Sequence, residues 1–218
     1  MTLQRVAGCA ALICAASYLF GIAVLVLILA PLGFGSIDVD PHAVVAFIDT
    51  RPTLLITWNT VIYVVNAIAL TVLVEAMHRR QSQDAPEWAA VSRAFGLIWA
   101  ALVLGAGMIA NVAIERAAHI FPVDPVRAAE LWQILHTVEL GLGGGNEIAG
   151  AVWVGLVSMT GLIGKNLGRV TIGLGLITGI SGLATVIPAL GDSAGAMFGI
   201  GAIAWFVAVG WSCFRRTE

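Results

Sequence analysis

Apolar residues run along this chain in blocks of about twenty, each closed by a short polar stretch. A helix needs about 20 such residues to cross the hydrocarbon of a bilayer. Six blocks meet that length, at 6–30, 54–77, 95–112, 129–159, 170–190 and 194–214. The pattern predicts an all-α, polytopic membrane bundle of six transmembrane helices, forming a single transmembrane domain over residues 1–218. The fourth block is long and polar at its start. The last two are joined by the tight turn Gly191-Asp-Ser. A further short amphipathic helix is expected at Pro41–Asp49, lying on the outer surface as an interfacial anchor.

Composition agrees with the pattern. Of 218 residues, 59% are hydrophobic and 11% charged, with a mean hydropathy of +0.95. A soluble domain would carry roughly 25% charged residues. The net charge of -2 describes no basic face, which excludes nucleic acid as an expected partner. Cys9, Cys14 and Cys213 are too few and too poorly spaced for a disulfide framework or a zinc site. The first apolar run is too long for a signal-peptide core and reads as a first span.

Orientation follows from the distribution of basic residues. With the N-terminus inside, Arg5, Arg79, Arg80, Arg93, Lys165, Arg169, Arg215 and Arg216 fall on the inner side, against Arg51, Arg116 and Arg127 outside. Both termini are therefore expected to be cytoplasmic. Glycines open or line several spans: Gly8, Gly96, Gly173, Gly175, Gly179, Gly182, Gly195 and Gly199 all read as close helix-contact positions.

Candidate chemistry gathers in His136-Thr-Val-Glu139-Leu-Gly-Leu-Gly-Gly-Gly-Asn146-Glu147. Ionisable groups cost about 2.5–3.5 kcal/mol near the bilayer centre, so they persist where they face a protein interior or a wet cavity. On a continuous helix His136, Leu140, Gly143 and Glu147 share a face. The second span offers Trp58, then Asn59, Tyr63 and Asn66 at i, i+4 and i+7. The third ends with Asn111, Glu115 and His119 at i, i+4 and i+8. All three stripes fall in the outer half of the bilayer, with little comparable in the inner half beyond Glu75. That asymmetry predicts a polar-lined pocket reached from outside or from the outer leaflet.

Each stripe also has a structural explanation. The asparagines can bond across helices, Glu115 and His119 can sit in interfacial water, and His136 can be a satisfied packing residue. Glu147, a carboxylate near the midplane, is the hardest to explain that way. The functional reading is an intramembrane acid/base enzyme, of isomerase or cyclase type, acting on a lipophilic small molecule such as an isoprenoid. In it Glu147 is the general acid, and Glu139 or His136 the base or orienting partner. Asn59, Tyr63, Asn66, Asn111, Asn146, Trp58 and Trp153 bind substrate, the tryptophans facing a developing cation. No cofactor is required by this reading.

The alternative is a small proton-coupled carrier, for which glycine-interrupted helices and a midplane carboxylate are the marks. A third is a haem or metal site through His119 and His136; a fourth is a non-catalytic membrane subunit. Membrane lipid and a lipophilic small molecule are the expected partners, with homo-oligomerisation left open.

The runs Phe95-Gly-Leu-Ile-Trp-Ala, Gly141-Leu-Gly-Gly-Gly-Asn-Glu-Ile-Ala-Gly-Ala-Val-Trp153 and Ile203-Ala-Trp-Phe resemble a family of six-span actinobacterial and other bacterial integral-membrane proteins of unknown function. The resemblance implies an architecture and a place in the bacterial inner membrane, and no activity. In size and in its intramembrane acidic residues the chain is also similar, more loosely, to small membrane-bound terpene cyclases.

Overall fold

The computed structural model describes residues 2–34, 39–144 and 147–215, and among them it contains helices and turns with no strand. In chain order the helices are α1 (Leu3–Val24), α2 (Pro41–Thr50), α3 (Pro52–Asn59), α4 (Asn66–Gln81), α5 (Pro86–Ile120), α6 (Pro125–Glu139), α7 (Ile148–Ile163), α8 (Arg169–Ala184) and α9 (Gly191–Arg215). Wider π-helical turns extend three of them, at Leu25–Leu29, Thr60–Val65 and Leu140–Gly144. Proline opens α2, α3, α5 and α6, where its missing N–H costs nothing. Asp40 and Asp124 cap α2 and α6, accepting from His42 N at 2.9 Å and Arg127 N at 3.0 Å.

Among the described residues five stretches are long and apolar enough to cross a membrane, by length and hydropathy: Leu3–Leu32, Pro52–Gln81, Pro86–Ile120, Pro125–Ile163, which runs across the undescribed residues 145 and 146, and Ser193–Arg215. The third, at 35 residues, outruns its apolar block because charged residues at both ends continue the helix. The fifth block is cut short. α8 has 16 residues, and the chain turns over Thr185–Leu190 rather than at Gly191. Thr185 Oγ1 closes the helix end on Gly182 O at 2.7 Å, and Pro188 cannot continue it.

Contacts divide the chain into two compact units, the first of Met1–Ala16, Asn66–Leu102 and Asn146–Glu218, the second of Ser17–Val65 and Val103–Gly145. In the first, α8 packs against both α7 and α9. The core is aromatic: Trp153 stands edge-on to Trp205 with ring centroids 5.3 Å apart, and Trp99 stacks on Phe206 at 6.3 Å. Glycines admit these rings. A Cβ on Gly150 would sit 2.6 Å from Trp99, and one on Gly182 2.6 Å from Phe198. Gly175, Gly179, Gly8 and Gly96 are contact positions as expected. Gly173, Gly195 and Gly199 are not, since a Cβ there meets open space, and Gly201 packs on Thr178 instead.

This unit also holds buried polar residues that the three-stripe reading leaves out. Gln81 Nε2 donates to Val157 O at 2.7 Å, Asn166 Nδ2 to Asp84 Oδ2 at 2.7 Å, and Arg80 to Ser212 Oγ at 3.0 Å and to Asn166 O. Polar ties are thus not confined to the stripes. Gln81, Asp84 and Asn166 lie just beyond the apolar blocks, where a search within spans passes over them.

In the second unit α2 lies against α6. Val44, Val45 and Ile48 of α2 are buried with Leu29, Leu55, Ala128, Ala129 and Trp132. The amphipathic helix is present, but its apolar face is covered by protein. It closes a core instead of anchoring in lipid.

Candidate functional site

Three ionisable or hydroxyl-bearing side chains converge in the second unit. Glu139 is the last residue of α6, and His136 precedes it by one turn. The i, i+3 spacing brings His136 Nδ1 to 2.8 Å from Glu139 Oε2. Tyr63, from the π-helical turn after α3, donates its hydroxyl to Glu139 Oε1 at 2.5 Å. Such a length is characteristic of O–H···O⁻ bonds. An ionised carboxylate only accepts, so the His136 bond to it comes from Nδ1–H. In the neutral imidazole that leaves the lone pair on Nε2.

Burial separates the two roles. The Glu139 side chain keeps 6% of its surface exposed and that of His136 19%. The carboxylate is enclosed, held by two donors, and the imidazole is the more accessible group. An aromatic wall fixes the ring: Trp132, one turn before His136, stacks on it at 4.7 Å and 17°. Phe34 lies 6.0 Å from His136, 5.9 Å from Trp132 and 5.9 Å from Trp58. Gly33, at φ 83°, makes the left-handed turn that leads the chain into Phe34. Trp58 Nε1 donates to Gly21 O at 3.2 Å, tying α3 to α1.

The structure sorts the predicted site residues unevenly. His136, Glu139 and Tyr63 form one hydrogen-bonded cluster, with Trp58 behind Phe34. Tyr63 serves Glu139 instead of standing as a separate substrate ligand. Asn59 is buried. Asn111 Nδ2 donates to Thr60 Oγ1 at 3.1 Å, and its Oδ1 has no partner among the described residues.

Asn66, Trp153 and Glu147 belong to the first unit. Asn66 O accepts from Cys14 Sγ at 3.8 Å, and Trp153 is fully buried in the aromatic core, away from solvent. The α-helical face expected to join His136 to Glu147 does not persist. The helix widens at Leu140, and Gly143 leaves helical geometry at φ 160°, ψ 5°. Glu147 is half-buried, flanks the start of α7, and its backbone N donates to Thr185 Oγ1 at 3.3 Å. Asn146 lies outside the described residues.

Glu115 and His119 are exposed on α5 and take no part in the cluster. Among the described residues no three His, Cys, Asp or Glu side chains gather as metal ligands would.

Trp132, one of the tryptophans on the spans that carry the stripes, stacks on His136 where an interfacial-belt position is the plainer expectation, and Phe34 is a participant outside every stripe. Trp132, His136 and Glu139 repeat at i, i+4 and i+7, so the sequence did carry that face. Phe34 lies beyond its apolar block and gave no periodic signal. No protein-family model matches the chain, and comparison with curated proteins and with solved structures finds no match.

Proposed function

We propose that this is a six-span protein of the bacterial inner membrane, both termini cytoplasmic, in which α8 serves as the short fifth span. In it His136 acts as an acid/base catalyst on a lipophilic small molecule. The observation that carries the reading is the double engagement of Glu139. With both carboxylate oxygens occupied by Tyr63 and His136, the imidazole is held in one tautomer, and Nε2, without a partner among the described residues, can take a proton. When the imidazolium forms, the Glu139 carboxylate lies against one edge of it and the Trp132 ring against its face. A single base of this kind suits isomerisation. Nε2 removes a proton from one carbon, the electron pair shifts along the substrate, and the imidazolium, having exchanged its N–H with water, delivers a proton to another carbon. Phe34, Trp58 and Trp132 supply apolar surroundings suited to an isoprenoid-like substrate.

The test uses full-length protein in detergent, a bacterial lipid extract as substrate pool, and deuterated buffer. Wild type is expected to place deuterium on at least one lipophilic compound, and His136→Gln to place none while melting at a similar temperature. No labelled compound with wild type, or equal labelling by the variant, overturns the reading. The break at Leu140–Gly144 favours a second reading, a proton-coupled carrier. That reading predicts substrate-dependent proton entry into vesicles.

A further inference from the structure

The first unit carries a groove beside α9 that the acid/base reading does not use. Leu12, Ala204, Val207, Ala208, Trp211 and Phe214 line it, enclosing about 320 Å³. Its origin is the close approach of α1 and α9. The Phe214 ring lies over Gly8, where a Cβ would come within 2.7 Å of it, and a Cβ on Gly210 would sit 3.2 Å from Gly8 O. Backbones this near leave a furrow on their flank, floored by Ala204 and Ala208 one turn apart. Every lining side chain is apolar, and Trp211 is 60% exposed.

The end of the furrow is basic. The Arg215 guanidinium lies 5.2 Å over the Trp211 ring. Arg5 stands seven residues before Leu12, on the same face of α1 and about 10 Å along its axis. Neither arginine forms an ion pair among the described residues. Two other carboxylates of this unit have partners of their own: Glu75 pairs with Arg79 and Arg93, and Asp84 accepts from Asn166. The Trp211 face holds the Arg215 cation but offers no oxygen to its N–H donors.

We infer that this groove binds an anionic glycerophospholipid, one acyl chain lying along Ala204 and Ala208 and the phosphate resting on Arg215 and Arg5. An apolar channel ending in two guanidinium groups with no ion-pair partner among the described residues matches a chain joined to a phosphate in both shape and charge. The inference rests on the membrane reading and is independent of His136.

Full-length protein in phosphatidylcholine vesicles provides the test, with a minor fraction of phosphatidylglycerol or phosphatidylcholine bearing dibrominated chains. Bromine quenches nearby tryptophan, and the difference between wild type and Trp211→Phe isolates the groove's signal. Brominated phosphatidylglycerol is expected to quench at lower mole fraction, by about fivefold for each arginine. The double variant Arg5→Gln, Arg215→Gln should lose that preference, and Ala208→Leu should weaken quenching by both lipids. Equal quenching of wild type by the two lipids overturns the proposal, as does a preference that survives loss of both arginines.

Discussion

Removing the Tyr63 hydroxyl tests how firmly Glu139 is held. Tyr63→Phe leaves the ring in place and deletes one of two donors to a nearly enclosed carboxylate. A hydrogen bond to a charged group contributes about 1.5–3 kcal/mol, so thermal unfolding in detergent should show a loss of about 2 kcal/mol. If His136 depends on Glu139 for its orientation, turnover should fall with little change in KM. An unchanged melting curve would show that the short bond does not hold the carboxylate. At this scale the sequence was half readable. His136 and Glu139 lie one turn apart on a helix, and that spacing alone implies their contact. A stripe of Asn59, Tyr63 and Asn66 requires 3.6 residues per turn. The π-helical turn at Thr60–Val65 breaks that assumption, and the partner across the unit became visible only in three dimensions.

Helices meet at glycines that the apolar pattern cannot rank. Gly173 and Gly175 lie on the same helix, two residues apart, in runs of similar composition. A Cβ on Gly175 would overlap Ser158 Oγ and come within 2.5 Å of Trp205 Nε1, whereas one on Gly173 meets nothing within 4 Å. Gly175→Ala should therefore destabilise by about 1–3 kcal/mol through overpacking of α7 and α9. Gly173→Ala should be neutral or stabilising by up to about 1 kcal/mol, since alanine is the better helix former. Melting temperatures of the two variants against wild type decide the matter, and equal shifts would contradict the packing described. The apolar blocks located most helices to within a few residues. They failed where ends are set by other forces, as at α8, closed by the Thr185 hydroxyl and Pro188 ahead of its apolar limit. Amphipathic spacing located α2 but not what covers it: its apolar side packs on the core with α6.

Across the whole chain, the three cysteines give access to orientation. Cys9 is exposed, and Cys14 and Cys213 are buried. A small maleimide should label folded protein at Cys9 alone, read as one adduct by intact mass. With the N-terminus in the cytoplasm, a membrane-impermeant maleimide should spare Cys9 in intact cells and modify it after lysis. Labelling of intact cells would reverse the orientation. Charge distribution suggested this arrangement, but how the chain divides was not readable, because both units are assembled from segments distant in sequence. The tryptophans divide with them: Trp58 and Trp132 belong to the unit with the candidate site, and the other five to its neighbour. Trp132 is also the ring stacked on His136. An imidazolium at 4.7 Å accepts charge from an excited indole far more readily than a neutral imidazole does. The proton that the proposed chemistry moves should therefore dim one fluorophore as it arrives and restore it on leaving, giving the chain an optical record of its own turnover without an added dye.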